Sequence, residues 1–189
     1  MNRSRPLTTL VHELLAGALQ PGDLAVDATA GNGHDTLYLA QQVSPGGSVY
    51  AFDVQNRALD ATAGKLYAAG LRDLVSLCRT GHQNMLHRIP AAWLGRVTAI
   101  TFNLGYLPGS DKQVTTGAGS TLAALEQSLA LLKPGGVLSV LAYRGHAGGS
   151  DEAEAVQDWL TAHHGQLECQ VHESRGPVLF YCTRHDRDL

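Results

Sequence analysis

The chain has 189 residues, 44% hydrophobic and 16% charged, a balance that fits one domain over 1–189 with a sizeable core. With 14 Lys and Arg against 17 Asp and Glu, the net charge of −3 gives no global attraction to nucleic acid, so any RNA-facing surface must be local. No apolar run approaches the roughly 20 residues of a membrane span.

The N-terminus, Met1 to Pro6, leads into an amphipathic segment and not into a signal-peptide core. Predicted helices follow over Leu7–Leu19, Asp35–Gln42, Asn56–Ala69, Ser120–Leu132 and Asp151–His164. They alternate with predicted strands over Leu24–Ala28, Ser48–Asp53, Val75–Arg79, Val97–Asn103 and Val137–Tyr143, and two more follow over Leu167–His172 and Val178–Thr183. Lys133-Pro134-Gly135-Gly136 reads as a sharp turn ahead of the fifth strand. Alternation of this kind gives a parallel sheet covered on both faces. The link Glu173–Pro177 is too short for a crossover helix and makes the last two strands an antiparallel pair. The expected fold class is α/β: a Rossmann-like, seven-stranded, mostly parallel sheet with helices on both faces and a C-terminal antiparallel hairpin. Cys78, Cys169 and Cys182, odd in number and widely spaced, read as small core residues of a reduced, cytoplasmic protein without a zinc site.

The most informative stretch is Asp27-Ala28-Thr29-Ala30-Gly31-Asn32-Gly33-His34-Asp35, between the first strand and the second helix. Glycines let the backbone turn sharply and approach a ligand, and a helix start aims unpaired N–H groups at it. A dinucleotide fingerprint requires a third small residue where this chain has Thr36, and no Gly-Lys-Ser/Thr of a phosphate loop follows. The remaining pattern is that of S-adenosylmethionine, whose cationic amino group and sulfonium suit the carboxylates of Asp27 and Asp35; the plainer alternative is an ordinary turn with Asp35 capping its helix. Asp53, twenty residues past Gly33, ends the second strand where an acid accepts ribose hydroxyls, with Gln55 just beyond; it also suits a helix N-cap. Gly81 and His82, after the third strand, are candidates for the base side, although His82 also fits a solvated turn.

The fourth strand ends in Asn103-Leu104-Gly105-Tyr106-Leu107-Pro108-Gly109-Ser110-Asp111-Lys112, where amine methylases carry an Asn/Asp-Pro-Pro-aromatic tetrapeptide. Asn103 and the Leu104 and Gly105 carbonyls can accept hydrogen bonds from a substrate NH2, and Tyr106 can stack on a base or seat the methyl group. Methyl transfer from a sulfonium is an in-line displacement that needs no metal, only positioning and an unprotonated amine. Asp111 or His146 can take the proton, directly or through water. Arg3, Arg5, Lys112 and Arg144 are candidate RNA contacts, and a homodimer would widen a surface with so few basic residues.

These blocks, with Thr115-Thr116 and Tyr143-Arg144-Gly145-His146-Ala147-Gly148-Gly149, resemble the small bacterial methyltransferases long described as rRNA methylases, a family that includes a tRNA wobble-uridine methyltransferase. The resemblance implies a class I fold, S-adenosylmethionine as donor, and the primary amine of 5-aminomethyl-2-thiouridine in a tRNA anticodon as acceptor. It implies methionine and ribose contacts at Asn32, Asp35, Asp53 and Gln55, with His82 beside the adenine. Arg144 departs from the family's usual His after the fifth-strand Tyr and suits a phosphate contact. Three other readings are methylation of rRNA or of a small-molecule amine, a non-catalytic S-adenosylmethionine- or RNA-binding protein, and, opposed by Thr36, an NAD-linked oxidoreductase.

Overall fold

A computed structural model describes residues 6–105 and 115–186. Its elements run α1 (Leu7–Ala18), β1 (Leu24–Asp27), α2 (His34–Val43), β2 (Ser48–Asp53), α3 (Asn56–Ala68), β3 (Val75–Arg79), α4 (Met85–Arg88), β4 (Val97–Leu104), α5 (Ala118–Leu131), β5 (Leu132–Tyr143), α6 (Gly149–Ala162), β6 (Leu167–Glu173) and β7 (Pro177–Arg184). The seven strands are ordered β3-β2-β1-β4-β5-β7-β6. The first five pair in parallel, and β7 inserts between β5 and β6, antiparallel to both. The expected alternation and terminal hairpin are therefore both present.

Side chains alternate across the strands and build two cores. On one face Ala25, Val49, Ala51, Ala99 and Leu141 pack against Val11 and Leu15 of α1, Leu39 and Val43 of α2, and Leu66 of α3. On the other, Val26, Phe52, Ile100, Phe102 and Val140 pack against Leu125 of α5 and Val156 and Leu160 of α6. The i, i+4 spacing of Val11/Leu15, Ala58/Thr62/Leu66 and Leu39/Val43 places each set on one helical stripe, so burial selects the helix its pattern allows.

Several boundaries move. Helices α5 and α6 each start two residues earlier than expected, at Ala118 and Gly149. The Lys133–Gly136 turn lies inside β5, where Gly135 takes a φ of +71° and the pairing with β4 jumps from Leu132 to Val137. Short 3-10 turns over Arg72–Leu74, His82–Asn84 and Ala91–Trp93, with the one-turn α4, carry too little periodicity to be read from sequence. The reading of three reduced cysteines is corrected. The β6/β7 register sets Cys169 directly opposite Cys182, where they form a disulfide, and Cys78 alone is free. No helix of the described residues is long and apolar enough to cross a membrane.

The order reverses at β1, with β2 on one side and β4 on the other. In open α/β sheets such a switch point opens a crevice beyond the strand ends, and the β1–α2 turn lies there. Gly33 has a φ of +78°, and a Cβ on it would sit 2.7 Å from the Thr62 Cα of α3. Its role is to let α3 close onto the turn. Gly33→Ala is expected to destabilise the chain by about 2 kcal/mol, from backbone strain plus the clash, measured by urea unfolding.

Candidate active site

A cavity of about 1100 Å³ opens at the carboxyl ends of β1, β2, β3, β4 and β5. Of the residues expected to hold the methyl donor, Gly31, Asn32, Asp35, Asp53, Gln55, Gly81, His82 and Asn103 all line it. Asp53 accepts the Gly31 N–H at 3.0 Å through Oδ2 and the Gln55 N–H at 2.8 Å through Oδ1. These bonds fix the carboxylate at the edge of the cavity, and each oxygen retains a lone pair for a hydroxyl. His82 is buried and meets Phe102 edge-on at 5.6 Å. Its Nδ1 lies 3.3 Å from the Ala28 carbonyl, which can only accept, so Nδ1 carries the proton. Burial pushes the imidazole down to about 4, partly offset by the Ala28 hydrogen bond, so at neutral pH the ring is uncharged. A neutral, flat, partly apolar surface with Phe52, Val54 and Ala28 suits a purine better than a phosphate. The donor set fits an adenosyl ligand: apolar walls for the base, an acid for the ribose and Asp35 for a cationic amino group.

Two expected contacts lie elsewhere. Asp27 is fully buried and does not line the cavity; it accepts the Thr36 hydroxyl at 2.6 Å and the Thr29 N–H at 3.1 Å. Its carboxyl holds the turn and does not reach into the cavity. Gly33 also lies off the cavity, packed on Thr62. Thr36, which broke the dinucleotide pattern, is the buried partner that Asp27 requires.

On the acceptor side, Asn103, Leu104 and Gly105 line the cavity. The Asn103 N–H donates to Thr29 Oγ1 at 2.7 Å, and its side-chain amide donates to Asp35 Oδ2. Because a carboxylate only accepts, the amide nitrogen faces Asp35 and leaves Oδ1 as the acceptor end. Tyr106, Asp111 and Lys112 lie outside the described residues, as do Arg3 and Arg5. The described residues on either side of 106–114 are clipped together. Gly105 N–H donates to Thr116 Oγ1 at 2.9 Å, and Thr116 N–H to the Gly105 carbonyl at 3.0 Å. Buried Glu152 of α6 then accepts the hydroxyls of Thr116 at 2.7 Å and Thr121 at 2.6 Å. His146 lines the cavity beside Gly105, on which a Cβ would come 3.5 Å from its Nε2. Arg144 does not line it; its guanidinium turns to the β6–β7 link, 3.4 Å from the Gly176 carbonyl and 3.5 Å from Glu173.

Sequence reasoning missed His12 and Glu152. His12 Nε2 lies 2.6 Å from Asp35 Oδ1, and its ring stacks on Tyr38 with centroids 3.9 Å apart. The available signal was Thr8, Thr9 and His12 beside the apolar Val11/Leu15 stripe of α1; all three line the cavity. Glu152 left no local signal, because its partners lie 31 and 36 residues away.

The strand order, the glycine turn at the switch point and the cavity over it define a class I methyltransferase, the class that uses S-adenosylmethionine. More particularly, residues 49–175 match the family model described as "Putative rRNA methylase", and the chain belongs to that family. It is 39% identical over 196 residues to the chloroplastic tRNA (mnm(5)s(2)U34)-methyltransferase of Arabidopsis thaliana, across 95% of this chain and 69% of that protein. It also resembles a crystal structure from Clostridium thermocellum described as a "putative rRNA-methylase", with a TM-score of 0.89 and 34% identity over 95% of this chain and 98% of that one. A methyltransferase from Streptococcus mutans, solved in complex with SAH, matches with a TM-score of 0.83 and 31% identity over 96% of this chain and 98% of that one.

Burial, reinforced by Asp35, pushes the Asp27 carboxyl up from 3.8 to about 7. A raised acid binds its proton more tightly in the folded chain, so its contribution turns against folding as pH rises through that window. Urea unfolding across this range is expected to show Asp27→Asn gaining stability relative to the parent chain between pH 3.8 and about 7.

Proposed function

We propose that the chain moves a methyl group from S-adenosylmethionine to the primary amine of 5-aminomethyl-2-thiouridine at the wobble position of tRNA. The observation that carries this reading is the Asn103 amide, held at both its main chain and its side chain with Oδ1 left as acceptor in a cavity that also offers an adenosyl site. The likeness to the Arabidopsis tRNA methyltransferase supports the same acceptor.

When bound, the donor supplies an electrophilic methyl on a sulfonium whose leaving thioether is neutral. The chain's task is to hold the amine in line and free of its proton. Asn103 Oδ1 and one of the backbone carbonyls at Leu104 and Gly105 accept the two amine hydrogens and aim its lone pair at the methyl. An alkyl ammonium is disfavoured against the apolar walls. His146, beside Gly105, or Asp111 accepts the released proton. Tyr106 stacks on the uridine ring. Arg3, Arg5, Lys112 and Arg144 meet the anticodon backbone, where loss of one phosphate contact weakens binding across all sequences alike.

Mass spectrometry of tRNA nucleosides from cells lacking the protein is expected to show loss of the methylated wobble nucleoside and accumulation of its aminomethyl precursor. Accumulation of neither, with transfer to amine metabolites in vitro, would assign the enzyme to small molecules. Asn103→Ala and Tyr106→Ala are expected to lower kcat by roughly 100-fold, with S-adenosylmethionine affinity by calorimetry within about twofold of the parent. Loss of donor binding in both would remove them from the acceptor side.

A further inference from the structure

We infer that His12, on the first helix and far in sequence from every motif, is a positioning residue for methyl transfer: it anchors Asp35 so that Asp35 presents Asn103 to the acceptor. The inference rests on the proposed transfer to an amine. The groups form one continuous chain. The Tyr38 hydroxyl donates to the His12 carbonyl, and the Tyr38 ring stacks on the imidazole at an interplanar angle of 4°, fixing its plane. His12 Nε2 meets Asp35 Oδ1 at 2.6 Å, and Asp35 Oδ2 accepts the Asn103 amide. Each Asp35 oxygen thus has its own donor.

That arrangement decides which end of Asn103 faces the reacting amine. An Asn side chain is nearly symmetric in shape, and its flipped rotamer would offer NH2 donors where an acceptor is needed. Asp35 excludes the flip because two acceptors would then face each other. The His12 bond to the other oxygen holds the carboxylate in the place and plane from which it meets the Asn103 amide. Helix α1, seated on the sheet through Val11 and Leu15, brings Thr8, Thr9 and His12 to the cavity. A further bond, from the Tyr181 hydroxyl of β7 to the Leu14 carbonyl at 3.2 Å, holds the helix in place.

The test compares His12→Ala with His12→Gln, whose amide nitrogen can replace Nε2. At saturating S-adenosylmethionine, His12→Ala is expected to lower kcat about 10- to 100-fold, leaving tRNA KM within about twofold of the parent, and His12→Gln is expected to recover most of the loss. In the 1H–15N spectrum of the donor-bound chain, the Asn103 side-chain amide should shift in His12→Ala and return in His12→Gln. Unchanged kcat in His12→Ala, equal losses in both variants, or an unmoved Asn103 amide would each overturn the inference. Should the parent chain transfer no methyl to tRNA, the proposed function falls, and the Asn103 amide signal still decides whether His12 positions it.

Discussion

The site depends on a carboxylate sealed away from it. Asp27, fully buried at the end of β1, holds the Thr36 hydroxyl in the first turn of α2 and the Thr29 N–H in the loop between them. Those two bonds set the path of the glycine turn, and the turn sets everything that faces the cavity. Thr29 passes the constraint on through its hydroxyl, which receives the Asn103 N–H at the end of β4. Donor side and acceptor side are thereby fixed to one another by hydrogen bonds between neighbouring strands. A buried acid is an expensive anchor, and the raised pKa of Asp27 is the sign of that expense.

The acceptor side has a second anchor of the same kind. Glu152 reaches from α6 to the hydroxyls of Thr116 and Thr121, and Thr116 in turn closes the ends of the β4–α5 loop on Gly105. The described residues Gly105 and Thr116 are therefore held together at one fixed point. The two anchored halves meet at Asp35, which begins on the donor side as part of α2 and ends on Asn103 and His12. A nucleophile and a methyl group must align within a fraction of an ångström, and a carboxylate shared between the two halves is a short route to that precision.

Some of this was legible in the residues. Glycine placement, the strand-ending acids and the Asn103 block have local meanings, because backbone reach and hydrogen-bonding capacity act over a few residues. They marked the turn, the second-strand acid and the end of β4 as candidate contacts, and the structure brings Gly31, Asp53 and Asn103 to one cavity. The same local reasoning did not separate Asp27 and Gly33, which lie off the cavity, from the residues that line it, since an acid or a glycine in such a turn serves a ligand and a packing partner equally well in one dimension. Only the approach of α3, with Thr62 against Gly33, and the burial of Asp27 beside Thr36 separate the two roles.

Periodicity and turn chemistry by themselves determined the α/β alternation and the antiparallel end of the sheet, because each follows from contacts within a strand, a helix or the link between them. The tertiary structure alone decided what lies far apart in the chain and close in space. It brought His12 to Asp35 across 23 residues, Glu152 to Thr116 across 36, and Cys169 to Cys182 across a hairpin register. Such pairs are chosen by how helices pack on the sheet and how strands slide into register, and neither choice leaves a trace in the spacing of the residues themselves.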